Sequence, residues 1–147
     1  MSRKSKVISS VIALIVILSV IVIGCSNNDN KGLLELSPKA MKKYMDSKES
    51  GFVMLSSKKD KRAAWIKEAK KSSEEQKVTI RELNEKRDDV PGTSNPNDWG
   101  LSQDRNTLAY YQNGELKEQI DLDEIEPSKL ESEIDNFIKK VQEDYPN

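Results

Sequence analysis

Apolar and polar positions along this chain follow three regimes. Residues Val7 to Gly24 carry no charged side chain, only Val, Ile, Leu, Ala, Gly and three Ser. A polar stretch follows, and then short apolar runs alternate with helical spacing. Gly32-Leu33-Leu34-Glu35-Leu36 predicts a strand. Ser37-Pro38 opens a helix, with Ser as N-cap and Pro at the first helical position. Met41, Tyr44 and Met45 give that helix a buried face at i, i+3, i+4 spacing, and Ser50-Gly51 ends it. Phe52-Val53-Met54-Leu55 is a continuous apolar run bounded by polar residues, the pattern of a central strand buried on both faces. Asp60 is placed to cap a helix running to about Glu75, with Ala64, Trp65, Ala69 and Ile66 inward.

Lys77 to Asn84 predicts the next strand. Glu85 to Asp98 is polar and holds Pro91-Gly92 and Asn95-Pro96, so it reads as a loop or broken helix. Trp99-Gly100-Leu101 is an apolar island at its end. Thr107–Gln112 and Glu115–Leu122 flank Asn113-Gly114, the strongest short hairpin signature, because both central residues of a type I′ turn need positive φ. Ser128-Lys129-Leu130-Glu131 has the form of a capping box. Leu130, Ile134, Phe137, Ile138 and Val141 then follow at helical spacing. The order β-α-β-α-β-loop-β-β-α predicts an α/β domain over residues 33–147, with parallel pairing early and an antiparallel hairpin late.

The first regime is a different object. Arg3, Lys4 and Lys6 precede the apolar run, which is the layout of a secretory signal peptide. The run is also close to the roughly 17–25 residues that span a bilayer, so a retained membrane helix competes with a cleaved signal. Both place the remainder outside the cytoplasm. Val22-Ile23-Gly24-Cys25 resembles the lipobox of bacterial lipoproteins and favours cleavage. The resemblance implies an N-terminal apolar signal helix over residues 1–24, a cut between Gly24 and Cys25, and a diacylglycerol (palmitate-class chains) thioether-linked to Cys25. A thiol is the strongest ordinary nucleophile near neutral pH, which is why the modification needs that residue. Two acyl chains anchor durably. Residues 25–32 then form a lipid-anchored cysteine and polar tether on the extracytoplasmic face of a cell membrane.

Cys25 is the only cysteine and there is no histidine. A disulfide, a Cys/His zinc site and Ser–His–Asp or Cys–His catalysis are excluded by inventory. Asp88-Asp89 and Asp121 to Asp123 lack the spacing of an EF-hand loop and read as solvated charge. Three of the 24 basic residues and none of the 25 acidic ones lie in residues 1–24, so the processed chain has a net charge of about −4. That is not a nucleic-acid footprint. No cofactor is expected beyond the covalent lipid.

The order of elements, together with VTIRELN (78–84), PGT (91–93), WGL (99–101) and TLAYYQNGE (107–115), is similar to the thioredoxin fold: a small mixed sheet flanked by helices. The family's Cys-x-x-Cys would fall near Ser57-Lys58-Lys59-Asp60, where no cysteine stands. The residue before Thr107 is Asn106, where the family carries a cis-proline. A cis bond before a non-proline costs roughly 2.5–4 kcal/mol, so a trans bond is expected. Thiol–disulfide exchange is therefore not expected, and Ser57 lacks an activating base, since Lys58 and Lys59 lie in an exposed polar loop.

What remains is a redox-inactive thioredoxin-like domain, not an enzyme, acting as a protein-binding module for an envelope or secreted protein. Its candidate surface is Ser57, Lys58, Lys59, Asp60, Trp99 and Asn106, with Tyr110 and Tyr111 as further aromatic anchors. Each has a blander reading: Trp99 as core packing, the two tyrosines on opposite faces of one strand, and the lysines as a solvated helix start. Two alternatives share the inventory. One is an accessory or substrate-holding subunit for an envelope thiol-disulfide oxidoreductase. The other is an immunity or exclusion lipoprotein blocking one envelope protein.

Overall fold

The computed structural model describes residues 31–146. The signal segment, the Gly24–Cys25 cut and the lipid site lie outside the described residues. Within them the chain is mixed α/β, with a five-stranded sheet and three α-helices. The elements are β1 (Gly32–Glu35), α1 (Pro38–Asp46), β2 (Gly51–Ser56), α2 (Lys59–Glu75), β3 (Thr79–Asn84), β4 (Thr107–Gln112), β5 (Glu115–Asp121) and α3 (Leu130–Asp144), with 3-10 turns at Pro96–Trp99 and Pro127–Lys129. Gly32, counted with the tether in the sequence, is already the first residue of β1.

The sheet runs β1-β3-β2-β4-β5. β3 lies between β1 and β2 and is parallel to both. β4 is antiparallel to β2 and to β5. The continuous apolar run is thus the middle strand, as its pattern requires. Successive side chains point to opposite faces, and both faces are covered. Phe52, Met54, Ile80, Leu108 and Tyr110 pack against Trp65 and Ala69 of α2 and the inward row of α3. Val53, Leu55, Leu83, Ala109 and Tyr111 pack against Met41, Tyr44 and Met45 of α1, with Trp99 and Leu101 beside them. No helix among the described residues is long and apolar enough to cross a membrane.

Local signals acted much as expected at three places. The Ser37 side chain accepts from the Ala40 N–H at 3.2 Å. Asn113 and Gly114 take φ of 53° and 80°, the left-handed pair the hairpin demands. No peptide bond among the described residues is cis, including the one before Thr107.

Elsewhere packing overrode the local signal. Asp60 does not cap α2; Lys58 occupies the N-cap with no side-chain bond, and Asp60 sits in the first turn, where its charge complements the helix dipole. Ala64 is exposed while Ser72 and Ser73 are buried, because the inward row follows Trp65 and Ala69. β3 begins at Thr79 instead of Lys77, which takes φ 56° in the preceding turn. The Ser128 capping box does not form: Pro127–Lys129 is a 3-10 turn, and α3 starts at Leu130 without a side-chain cap.

Candidate functional site

Strands β1, β2 and β3 all end on one side of the sheet, and α2 begins there. Crevices outside the carboxyl ends of parallel strands are the usual place for sites in open α/β sheets. Ser57 leaves β2 at this edge. Its N–H and its Oγ both donate to Asn106 Oδ1, each at 2.9 Å. Asn106 sits at φ 63°, a left-handed conformation that asparagine tolerates better than most residues. Its own carbonyl accepts from the Leu122 N–H at 2.8 Å. One asparagine therefore ties the β2–α2 loop to the start of β4 and the end of β5.

Below this tie lies a charge chain. Glu82 of β3 is wholly buried. Arg62 of α2 grips it with two bonds, Nε to Oε1 and a terminal nitrogen to Oε2, both 2.7 Å. The Ser56 Oγ donates to the same carboxylate at 2.6 Å. Arg62 also reaches Glu35 of β1 at 2.8 Å, and Arg87 bonds Glu35 and Asp89 at 2.7 Å. A buried carboxylate is tolerated only when paired and hydrogen-bonded, and these partners supply both. The bond to Glu82 raises the Arg62 pKa above its ordinary value, and Asp89, bonded to Arg87, is held below the usual carboxylate range.

The rim of the edge is more open. Lys58 and Lys61 both pair with Asp123. These bonds, Lys58 first, hold the Asp123 carboxyl below its ordinary value, and Asp123 raises Lys61 in return. Lys59 and Asp60 are exposed and form no ion pair among the described residues.

Five of the six candidate residues therefore meet or adjoin at one edge: Ser57 against Asn106, with Lys58 beside Asp123, and Lys59 and Asp60 at the start of α2. Trp99 is corrected. Its 3-10 turn is closed by a reciprocal capping box between Asn95 and Asp98. The indole is 5% exposed and buried with α1. Gly100 follows at φ 78°, where a Cβ would lie 3.0 Å from Met45 Cβ, so only glycine lets the turn close onto α1. Tyr110 and Tyr111 do point to opposite faces, but helices cover both faces, so neither is an outward anchor. Tyr111 instead accepts from the N–H groups of Ser102 and Gln103, both at 3.1 Å, and fixes the loop before β4.

The sequence reading missed Glu82, Glu35 and Arg87. In sequence, Arg62 reads with Lys58, Lys59 and Lys61 as an anion-binding patch or a solvated helix start, whereas it is paired with Glu82. The available signal was Glu82 two positions after Ile80, on the same face of a predicted strand, since a buried carboxylate there needs a partner. Chemically the edge holds no thiol and no imidazole. Ser57 Oγ donates to an amide oxygen, which is no base, so no nucleophile–base pair exists there. No group of metal-ligating side chains occurs among the described residues. A scan against protein-family models found no match, and neither did a search of curated proteins.

Proposed function

We propose that this chain is a lipid-anchored extracytoplasmic lipoprotein whose thioredoxin-like domain is redox-inactive and works as a protein-binding module. Three parallel strands, an antiparallel pair and helices on both faces support the thioredoxin-like reading. The observation that carries the function is the Ser57–Asn106 tie. Where the resembling family keeps reactive thiols, this chain has a serine bound twice to one asparagine above a paired Glu82–Arg62. The edge is rigid and polar and has no leaving or attacking group. Its exposed charges, Lys59 and Asp60, suit recognition. The anchor is Cys25, and the bilayer is its first partner.

The test is crosslinking of the native lipoprotein in cells, with mass spectrometry of what is attached, beside a Lys59→Glu/Asp60→Lys variant. Metabolic labelling with an alkyne fatty acid, lost in Cys25→Ser, checks the anchor. One dominant protein, lost in the charge-reversed variant, is the expected result. A thiol-disulfide oxidoreductase as that protein would select the accessory reading, and a secreted or envelope toxin the immunity reading. A diffuse set unchanged by the variant would overturn the module.

A further inference from the structure

The opposite end of the sheet, where β2 and β3 begin, carries a half-open cavity of about 420 Å³. That size lies within the range of small-molecule sites, roughly 300–1,000 Å³. Its apolar wall is the end of the core under α3: Phe52, Val78, Tyr110, Val141 and Tyr145. The rings are mutually fixed, with Phe52 and Tyr110 centroids 5.2 Å apart and Tyr110 and Tyr145 also 5.2 Å apart. Its charged wall is Lys77 and Arg81, with Lys31 adjoining. Among the described residues no aspartate or glutamate lines it, in a chain where acidic residues outnumber basic ones.

Arg81 is held in position by its side chain, and Lys77 is placed by its backbone turn with its side chain exposed. The Arg81 guanidinium lies 4.1 Å above the centre of the Tyr44 ring, a contact that orients the group without neutralising it. Lys77 stands in a left-handed turn closed by the bond from Val78 N–H to Ser73 C=O at 3.0 Å. Neither Lys77 nor Arg81 forms an ion pair with a carboxylate among the described residues, whereas most basic residues on the rest of the domain do. Two cations at the strand ends, Arg81 stacked on Tyr44 on the α1 side and Lys77 exposed, flank an aromatic wall on the α3 side with no aspartate or glutamate among the described lining residues, and together they match an anion that carries an apolar body.

We propose that this cavity binds a small amphipathic anion, its acid group on Lys77 and Arg81 and its apolar part against Tyr110 and Tyr145. The acid is either that of a free solute or that of an anionic lipid headgroup. This site lies at the other end of the sheet from the Ser57 edge and does not depend on the function proposed there.

The experiment uses the full chain in nanodiscs of neutral phosphatidylcholine, titrated with 4-phenylbutyrate and with its uncharged analogue 4-phenylbutanol, read by saturation-transfer NMR. The acid is expected to bind about tenfold more tightly than the alcohol, the equivalent of one partly screened charge contact. Lys77→Glu, at an exposed position, is expected to remove that preference. Lys59→Glu at the opposite end is expected to leave it unchanged. A second arm replaces part of the lipid with phosphatidylglycerol: displacement of 4-phenylbutyrate would assign the acid to lipid, and undiminished binding would assign it to a free solute. Equal binding of acid and alcohol, or an acid preference that survives Lys77→Glu, would overturn the site.

Discussion

The two ends of the sheet use charge in opposite ways. At the carboxyl ends of the parallel strands, Glu82, Arg62, Glu35, Arg87 and Asp89 alternate in sign, and each is bonded to the next. At the starting ends, Lys77 and Arg81 line a cavity with no aspartate or glutamate among its described lining residues. Paired charges hold elements together and have little left to offer a ligand. Lys77 is exposed and Arg81 stacks on Tyr44 without a counter-charge among the described residues, so both keep charge to offer a ligand. The place where a thioredoxin-like resemblance directs attention is thus the more structural of the two, with recognition confined to its rim.

The largest effect should come from cutting the charge chain at its buried link. Arg62→Met leaves Glu82 buried and uncompensated, and we expect a loss of about 3–5 kcal/mol in urea unfolding followed by tryptophan fluorescence. Adding Glu82→Leu should recover most of it. If the single variant costs less than about 1 kcal/mol, the chain is not what holds α2 to the sheet. Next in size, Trp99→Ala should cost about 3 kcal/mol by opening a cavity beside α1 while leaving partner capture intact under native conditions. Lost capture with unchanged stability would restore Trp99 as a contact residue.

Smaller effects sharpen the contrast between polar groups that hold and polar groups that present. Tyr111→Phe strands two N–H groups and should cost about 1–3 kcal/mol. Burial raises the phenol pKa of Tyr44 and Tyr111 above the usual 10.0. Below pH 10 both phenols are neutral in the folded and unfolded chain, and stability is intact. As pH rises past 10 the unfolded chain loses those protons first, so stability should fall until the folded phenols ionise too. Phenolate absorbance in the folded protein should lag that of the urea-unfolded chain, and the lag should shrink in Tyr111→Phe. Ser57→Ala removes one of two bonds to Asn106 and should cost about 1 kcal/mol. A larger cost would mean that Ser57 does more than tie the loop.

Much of this architecture was legible before any coordinates. The continuous apolar run Phe52–Leu55 and the Asn113-Gly114 turn act over a few residues, and neighbours reinforce them. Ser37-Pro38 and the Leu130–Val141 row are equally local, so each element followed its pattern. The failures are of two kinds, helix and strand starts displaced by local turns and contacts between residues distant in sequence. Asp60 and Ser128 satisfy local capping rules, but α2 and α3 start without a side-chain cap. Trp99 stands in a polar loop, and nothing near it in sequence shows that Gly100 folds the turn onto Met45 of α1. Of the candidate site, Ser57 and Asn106 are 49 positions apart and were joined only through the family resemblance; the structure brings them into contact. Glu82 and Arg62, 20 apart on a strand and a helix, had no such guide.

The most direct test of the central claim compares two photo-crosslinking residues in the native lipoprotein in living cells. One replaces Lys59 at the Ser57–Asn106 edge, and the other replaces exposed Lys129 before α3. The account predicts one dominant protein adduct from position 59 and none of comparable yield from position 129. Equal, diffuse labelling at both positions would contradict it.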